Sequence, residues 1–380
     1  MSSKNTIDLQ SKSSEFSSDH TAPAFTDVFC QGDGEVHTFR IPSLITSLQG
    51  TLLAFAEARE SRSDISKNDL VLKRSIDGGS TWLPMQTILS QKPDSINNPC
   101  AVVLPDSGRI LVFVQRYPYP SSERSVKPGY DHPLALRNLL LWSDDDGLTW
   151  SPPRDITEQT KAPTIANSNA FGPGCGIVLQ NSQYKGRIVV PVNQGPWGKW
   201  ENYMILSDDN GQTWRRGQYV PRKASRWGGN EVQVAENPDG TLILNTRSWG
   251  STGWFKPKCR LQSFSTDGGE TWTPFVRVPE LIEPRCMGSI ISYPHPIGNA
   301  RSALLFTNPA STLVRQKGTL RISLDGGRSW SQGKLLFPGN FAYSSLTVLK
   351  DGSVGCLFET GKLHGYEKLV FARIPPAWLL

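Results

Sequence analysis

Histidine is scarce in this chain, at five in 380 residues, and no His-Glu-x-x-His occurs, so a metal-hydrolase site is not expected. The six cysteines, Cys30, Cys100, Cys175, Cys259, Cys286 and Cys356, are widely scattered and show no Cys-x-x-Cys spacing. They read as buried free thiols rather than a disulfide framework. No stretch of eighteen apolar residues exists, and the first residues lack an apolar segment of the signal-peptide kind. Neither a membrane span nor export is expected, and a cytoplasmic location is the default. No Lys/Arg block stands out, although the net charge is +6 and the pI about 9.0. Nucleic-acid binding is therefore not expected, and an anionic small substrate suits the mild excess slightly better than a cationic one.

What the chain does have is a repeat. The element Ser-x-Asp-x-Gly-x-Thr-Trp occurs five times, as Ser75 to Trp82, Ser143 to Trp150, Ser207 to Trp214, Ser265 to Trp272, and Ser323 to Trp330, the last with Ser329 in place of Thr. The first serines are 68, 64, 58 and 58 residues apart, too far for a helical repeat and suited to a four-stranded sheet with loops. Asp followed closely by Gly is turn chemistry: the carboxylate accepts from nearby backbone N–H groups, and Gly supplies positive φ. The Trp is expected to pack back over its hairpin. A cation-binding role is disfavoured, because the most acidic copy, Asp144-Asp145-Asp146-Gly147, lacks the distant Glu of a calcium loop.

Segments such as Asn138-Leu139-Leu140-Leu141-Trp142 and Tyr203-Met204-Ile205-Leu206 read as strands running into these turns. With 34 Gly, 28 Pro and 12 Trp, the composition fits one all-β domain. Residues 25–380 divide into six units of about 59 residues, five with a box and one without. The expected fold is an all-β six-bladed β-propeller with five Asp boxes. Residues 1–24, rich in Ser and polar groups, are expected to form a flexible N-terminal tail.

Three arginines draw attention by context. Arg40 sits inside the apolar run Phe39-Arg40-Ile41-Pro42, Arg247 ends the strand-like segment from Thr241, and Arg315 precedes Gln316-Lys317-Gly318. Each alone is compatible with an ordinary surface or ion-paired Arg. Converging, they would make a receptor for an anionic group, because a guanidinium is always charged and forks around a carboxylate.

The five boxes, the Phe-Arg-Ile-Pro motif and the spacings below resemble the exo-α-sialidase (neuraminidase) family over nearly the whole chain from Phe25 onward. The resemblance implies that Arg40, Arg247 and Arg315 grip a substrate carboxylate, with Arg321 a competitor for the third place. In Phe55 to Asp64 it implies Asp64 as acid/base, five residues after Arg59, with Asp69 as fallback. Arg59 and Asn98 are implied as contacts to the sugar. Tyr343, in Phe341-Ala342-Tyr343-Ser344, is implied as nucleophile. Glu231, sixteen residues before Arg247, is its implied base, and Glu359, sixteen residues after Tyr343, the carboxylate that orients Arg40. Both glutamates border apolar strands, where an unpaired carboxylate would be costly, so partners are required.

Two places depart from the family pattern. Met287 stands where Gln is common, and Val192-Asn193-Gln194 where animal enzymes often carry tyrosines. Trp197, Trp200, Trp249 and Trp254 are open to two readings, as the wall of a sugar pocket or as packing at blade edges.

The implied activity is retaining hydrolysis of terminal sialic acids from glycoproteins, gangliosides or oligosaccharides, with no metal or organic cofactor. Three alternatives remain: hydrolysis of a related nonulosonic acid, transfer to another sugar, and glycan binding without turnover. Transfer is disfavoured by the chain ending near the expected close of the propeller. A pure binding module would need the arginine grip and not the paired Tyr343 and Glu231.

Overall fold

A computed structural model describes residues 21–64, 66–163, 167–222, 228–249 and 258–380. Their strands form six separate sheets, one per blade. The inner strands, in chain order, are Thr38–Thr46, Ser95–Val103, the interrupted pair Asn169–Phe171 and Ile177–Val178, Gly228–Glu236, Ser289–Tyr293 and Ser344–Val348. Each blade then runs outward as an antiparallel meander, as in blade 1, where Leu44 faces Ala54, Phe55 faces Leu72, and Leu72 faces Gln86. The six-bladed all-β expectation holds.

Hydrogen bonds around the central axis link the inner strands. The Leu44 N–H donates to Ser345 Oγ at 3.0 Å, Leu346 N–H to Ser289 Oγ at 3.0 Å, and Ser289 Oγ to Gln233 Oε1 at 3.1 Å. The ring is closed by a strand from the other end of the chain. Ala24–Cys30 forms the outer strand of blade 6, with Phe25 facing Ala372 and Thr26 facing Phe371. Of the expected tail, residues 1–20 lie outside the described residues, and Ala24 already belongs to this strand.

Each box occupies the turn from third to fourth strand. In the first, Ser75 Oγ donates to Asp77 Oδ1 at 2.8 Å and accepts from Gly79 N–H at 2.8 Å, while Thr81 N–H and Oγ1 donate to the Asp77 carboxylate at 2.9 and 2.6 Å. Hydrogen bonds from Thr81 hold Asp77 down to about 2, well below the usual carboxylate range. The other four boxes repeat these contacts. Blade 6 has no box because its outer strand comes from Ala24–Cys30, leaving no turn of this kind to close.

The box tryptophans do more than cover their own hairpins. Trp82 meets Phe371 of blade 6, Trp150 meets Phe55 of blade 1, and Trp214 meets Phe113 of blade 2, all edge-on with centroids 5.1 to 5.7 Å apart. Each reaches back to the preceding blade, so the apolar core consists of six seams between neighbouring sheets. Strand alternation puts the boxes on one face of the disc. The opposite face receives the beginnings of first strands and the ends of second strands.

A glycine comparison tests the seam. Gly79 and Gly32 share φ of +93°, but a Cβ at Gly79 would lie 2.0 Å from the Phe371 ring, whereas nothing lies within 4 Å of one at Gly32. Gly32→Ala is expected to cost about 1 kcal/mol from the left-handed backbone alone. Gly79→Ala adds overpacking and is expected to cost about 3 kcal/mol in urea melts. Equal losses would show that the box does not press against the neighbouring blade.

Candidate active site

The face opposite the boxes carries a cavity of about 580 Å³, lined from all six blades. Its floor comes from first and second strands, and its rim, among the described residues, from loops joining second to third strands. Asp64 lies on the rim loop of blade 1, Glu123 on that of blade 2, Trp197 and Trp200 on that of blade 3, Arg315 on that of blade 5 and Tyr366 on that of blade 6.

Blade hairpins explain the pairings on the floor. First and second strands of a blade run antiparallel, so residues about sixteen apart meet near the open end. In blade 4, Val232 faces Thr246, which brings Glu231 beside Arg247, and Arg247 Nη1 donates to Glu231 Oε2 at 2.7 Å. In blade 6, the Glu359 N–H donates to the Tyr343 carbonyl at 2.9 Å, and the Tyr343 N–H to Glu359 Oε2 at 3.2 Å.

Arg40 reaches the floor through a backbone irregularity. The register of blade 1 shifts between Arg40 and Ser43, and Ile41, a β-branched residue, has φ of +58°. Such a conformation persists only where surrounding contacts hold it. Glu359, fully buried, does so by accepting from Ile41 N–H at 2.9 Å, Arg40 Nε at 3.0 Å and Arg40 Nη2 at 3.2 Å. Blade 2 repeats the device at Asn98, φ +52°, whose N–H donates to Glu57 Oε1 at 2.6 Å.

Tyr343 is the meeting point. Its hydroxyl donates to Glu231 Oε1 and accepts from Arg247 Nη1 at 3.2 Å. Arg40 Cζ lies 5.2 Å and Arg315 Cζ 5.3 Å from its ring centroid. Burial and the Glu231 carboxylate push the phenol well above its ordinary value, against the pull of the three guanidiniums. Arg315 donates to Tyr366 Oη at 3.0 Å and to the Arg285 carbonyl at 3.2 Å. Among the described residues no carboxylate pairs with it, so its charge is available to an anion in the cavity. Its competitor Arg321 lies off the cavity, donating to Asn308 Oδ1 at 3.3 Å inside blade 5.

Asp64 projects into the cavity mouth with 82% of its side chain exposed, its Oδ1 accepting from Arg59 Nη1 at 2.8 Å and Arg40 Nη1 at 3.4 Å. Burial of its surroundings would raise this carboxyl, but Arg59 and Arg40 outweigh that and hold it low. The fallback, Asp69, lies off the cavity and pairs with Lys92 at 3.5 Å. Asn98 lines the cavity, as does Asn193. Met287 is buried beneath the floor against Ile41 and Tyr343.

Of the four tryptophans, Trp197, Trp200 and Trp249 line the cavity and pack edge to face, with centroids 4.6 to 6.1 Å apart. Trp254 lies outside the described residues. Three residues that sequence reasoning passed over also belong here. Glu57 is buried and grips Arg59 Nε at 2.7 Å, and burial raises its carboxyl in spite of Arg59. Its signal was present, a carboxylate inside the apolar run Phe55-Ala56-Glu57. Glu123 accepts from Trp200 Nε1 and, at 3.2 Å, from Ser168 Oγ, with burial raising it too. The long segment between Tyr117 and Arg137 could have flagged it. Tyr366, 4.3 Å beneath Arg40 Cζ, had no local signal.

A family model described as a BNR repeat-like domain matches residues 50–356. A sialidase of Micromonospora viridifaciens is 32% identical over 94% of this chain and 55% of its own length, so the chain spans about half of that relative. Sialidase-2 of Mus musculus is 30% identical, covering 88% of this chain and 92% of the mouse protein. Among solved structures, the Hadza microbial sialidase Hz136 matches with a TM-score of 0.78 and 29% identity, over 92% of this chain and 68% of that one.

Proposed function

This chain belongs to the sialidase family, and from that premise we propose that it is a retaining exo-α-sialidase in which Tyr343 attacks the anomeric carbon of a terminal sialic acid. The observation that carries the reading is the convergence on Tyr343: a carboxylate accepting its proton, and three guanidiniums from blades 1, 4 and 5 around it.

Sialic acid bears a carboxylate on its anomeric carbon, so an attacking Asp or Glu would meet like charge within a few ångströms. A neutral phenol avoids that repulsion, and a Tyr nucleophile is the general exception to the two-carboxylate scheme in sialidases. With its hydroxyl raised by burial and Glu231, Tyr343 holds its proton at neutral pH. Glu231 takes that proton as the phenolic oxygen bonds to carbon, the aglycone oxygen departs, and a tyrosyl glycoside remains. Water then releases the sugar and returns Tyr343 to its phenol form, with net retention.

Arg40, Arg247 and Arg315 hold the substrate carboxylate, and their binding energy speeds the reaction where that pose favours the transition state. Asp64 protonates the leaving oxygen and later deprotonates water. In the empty site Arg59 and Arg40 keep it ionised. A substrate carboxylate on Arg40 offsets part of that field and lets Asp64 take up the proton it must deliver.

Asp64→Ala therefore has a signature. On sialyllactose, whose leaving group needs a proton, kcat is expected to fall by at least about a hundredfold. An aryl sialoside, whose phenolate leaves unaided, should suffer much less in the same variant. Equal losses on both substrates would remove Asp64 from the acid role, and near wild-type turnover would remove it from the site.

A further inference from the structure

The most exposed large apolar side chains among the described residues are Leu363 at 87% and Leu313 at 82%, with Val314 beside the latter at 51%. They are on the rim loops of blades 6 and 5, which also supply Tyr366 and Arg315 to the cavity. The two loops are tied at their bases. Arg315 Nη1 donates to Tyr366 Oη at 3.0 Å, Gln316 Nε2 to Asn340 Oδ1 at 3.3 Å, and Asn340 Nδ2 to the Gly361 carbonyl at 3.0 Å.

Both tips are held by side-chain caps. The Glu367 carboxylate accepts from the N–H groups of Lys362, Leu363 and His364 at 2.8 to 3.2 Å, so its charge is spent inside the loop. Ser311 Oγ accepts from Leu313 N–H and Val314 N–H, each at 3.2 Å. The leucines are thus presented on built turns, at a cost in exposed apolar area that folding does nothing to recover.

Lysines flank them: Lys362 precedes Leu363, Lys317 follows three residues after Val314, both exposed, and Lys258 Nζ donates to the Thr312 carbonyl at 3.2 Å, while the Glu367 carboxylate is turned onto the loop's own N–H groups. Protruding leucines with lysines at their flanks fit the interface of a bilayer, where apolar tips enter the acyl boundary and cations meet anionic headgroups. No helix among the described residues is long and apolar enough to cross a membrane, so any contact through this rim would be with a surface.

We propose that Leu313, Val314 and Leu363, with Lys317 and Lys362, dock this face on an anionic lipid surface and turn the cavity mouth toward sialylated glycolipids. The glycolipid part rests on the sialidase reading above, whereas docking itself does not. The full chain is expected to co-sediment with phosphatidylcholine vesicles doped with phosphatidylserine, and less so with phosphatidylcholine alone. Burying a leucine is worth about tenfold or more in partitioning, so Leu313→Ser with Leu363→Ser should weaken vesicle binding by at least about tenfold. The same variant should hydrolyse a soluble aryl sialoside at the wild-type rate and a vesicle-held ganglioside at least about tenfold more slowly.

Unchanged vesicle binding in the double variant, or no binding by the wild type, overturns the proposal. So does an equal slowing on a soluble sialylated glycoprotein, which would make the rim a protein-docking surface. If no sialoside is hydrolysed but the serines abolish vesicle binding, docking stands and the catalytic reading falls.

Discussion

Tyr343→Phe is expected to fold as the wild type does and to lose at least about a hundredfold in kcat on any sialoside. The substitution removes one oxygen. The ring remains, with Arg40 and Arg315 still about 5 Å from its centroid, and packing against Ile41, Cys286 and Met287 is unchanged. What disappears is the hydroxyl shared between Glu231 and Arg247, worth about 1 kcal/mol to stability as an ordinary buried hydrogen bond. Chemistry loses far more. Without the phenolic oxygen no tyrosyl glycoside can form, and the oxocarbenium-like centre must await water in a site arranged around a different nucleophile. Substrate binding should survive, because Arg40, Arg247 and Arg315 are untouched, so KM should move much less than kcat. Turnover near the wild-type rate by a folded Tyr343→Phe protein would end the nucleophile assignment.

Glu359→Ala is expected to be the most damaging substitution for the fold near the site. This carboxylate is fully buried and accepts four hydrogen bonds, two from Arg40 and one each from the Ile41 and Tyr343 N–H groups. It therefore bridges blade 6 to blade 1, across the seam beside which Ala24–Cys30 closes the ring. Removing it strands a buried guanidinium and two backbone donors. Breaking a buried pair in this way costs about 3–5 kcal/mol, mostly from the charge left behind rather than from any net worth of the pair. Nothing would then hold the positive φ at Ile41 that aims Arg40 at the cavity. Urea unfolding should show the loss, and what activity remains should have a raised KM. Glu359→Gln, which keeps one carbonyl oxygen for the backbone donors, should fall between. A change below about 1 kcal/mol in Glu359→Ala would mean that Arg40 finds another partner and that the bridge is dispensable.

Much of this was readable from the chain because a propeller is locally built. Box spacing reports blade length directly, since each box closes one third-to-fourth-strand turn. The interval of sixteen residues from Glu231 to Arg247 and from Tyr343 to Glu359 is a hairpin measured around its bend, which is why the spacings implied by the family resemblance fall on residues that face one another. Arg40 stood out because a charge in an apolar strand needs a reason.

Other features had no local trace. The pairing of Phe25 with Ala372 joins segments from opposite ends of the chain, and no spacing rule reaches that far. The reach of Trp82 to Phe371 is likewise set by how blades stack. The Arg-x-x-Gly context favours Arg315 over Arg321, six residues further on, but what puts Arg321 into the blade interior is the direction of the strand, leading away from the cavity. Glu57 carried a legible signal, a carboxylate inside the apolar run Phe55-Ala56-Glu57, and was passed over, whereas Glu359 was picked out by the family resemblance.

The central claim is that Tyr343 becomes bonded to the sugar. Incubation with a 2,3-difluoro sialic acid analogue, whose second fluorine slows release of the glycosyl group, followed by proteolysis and mass spectrometry, tests it most directly. The account predicts one adduct, on the peptide containing Phe341-Ala342-Tyr343, absent in Tyr343→Phe. An adduct on Glu231 or Asp64, or rapid turnover of the analogue with every peptide unmodified, would contradict it.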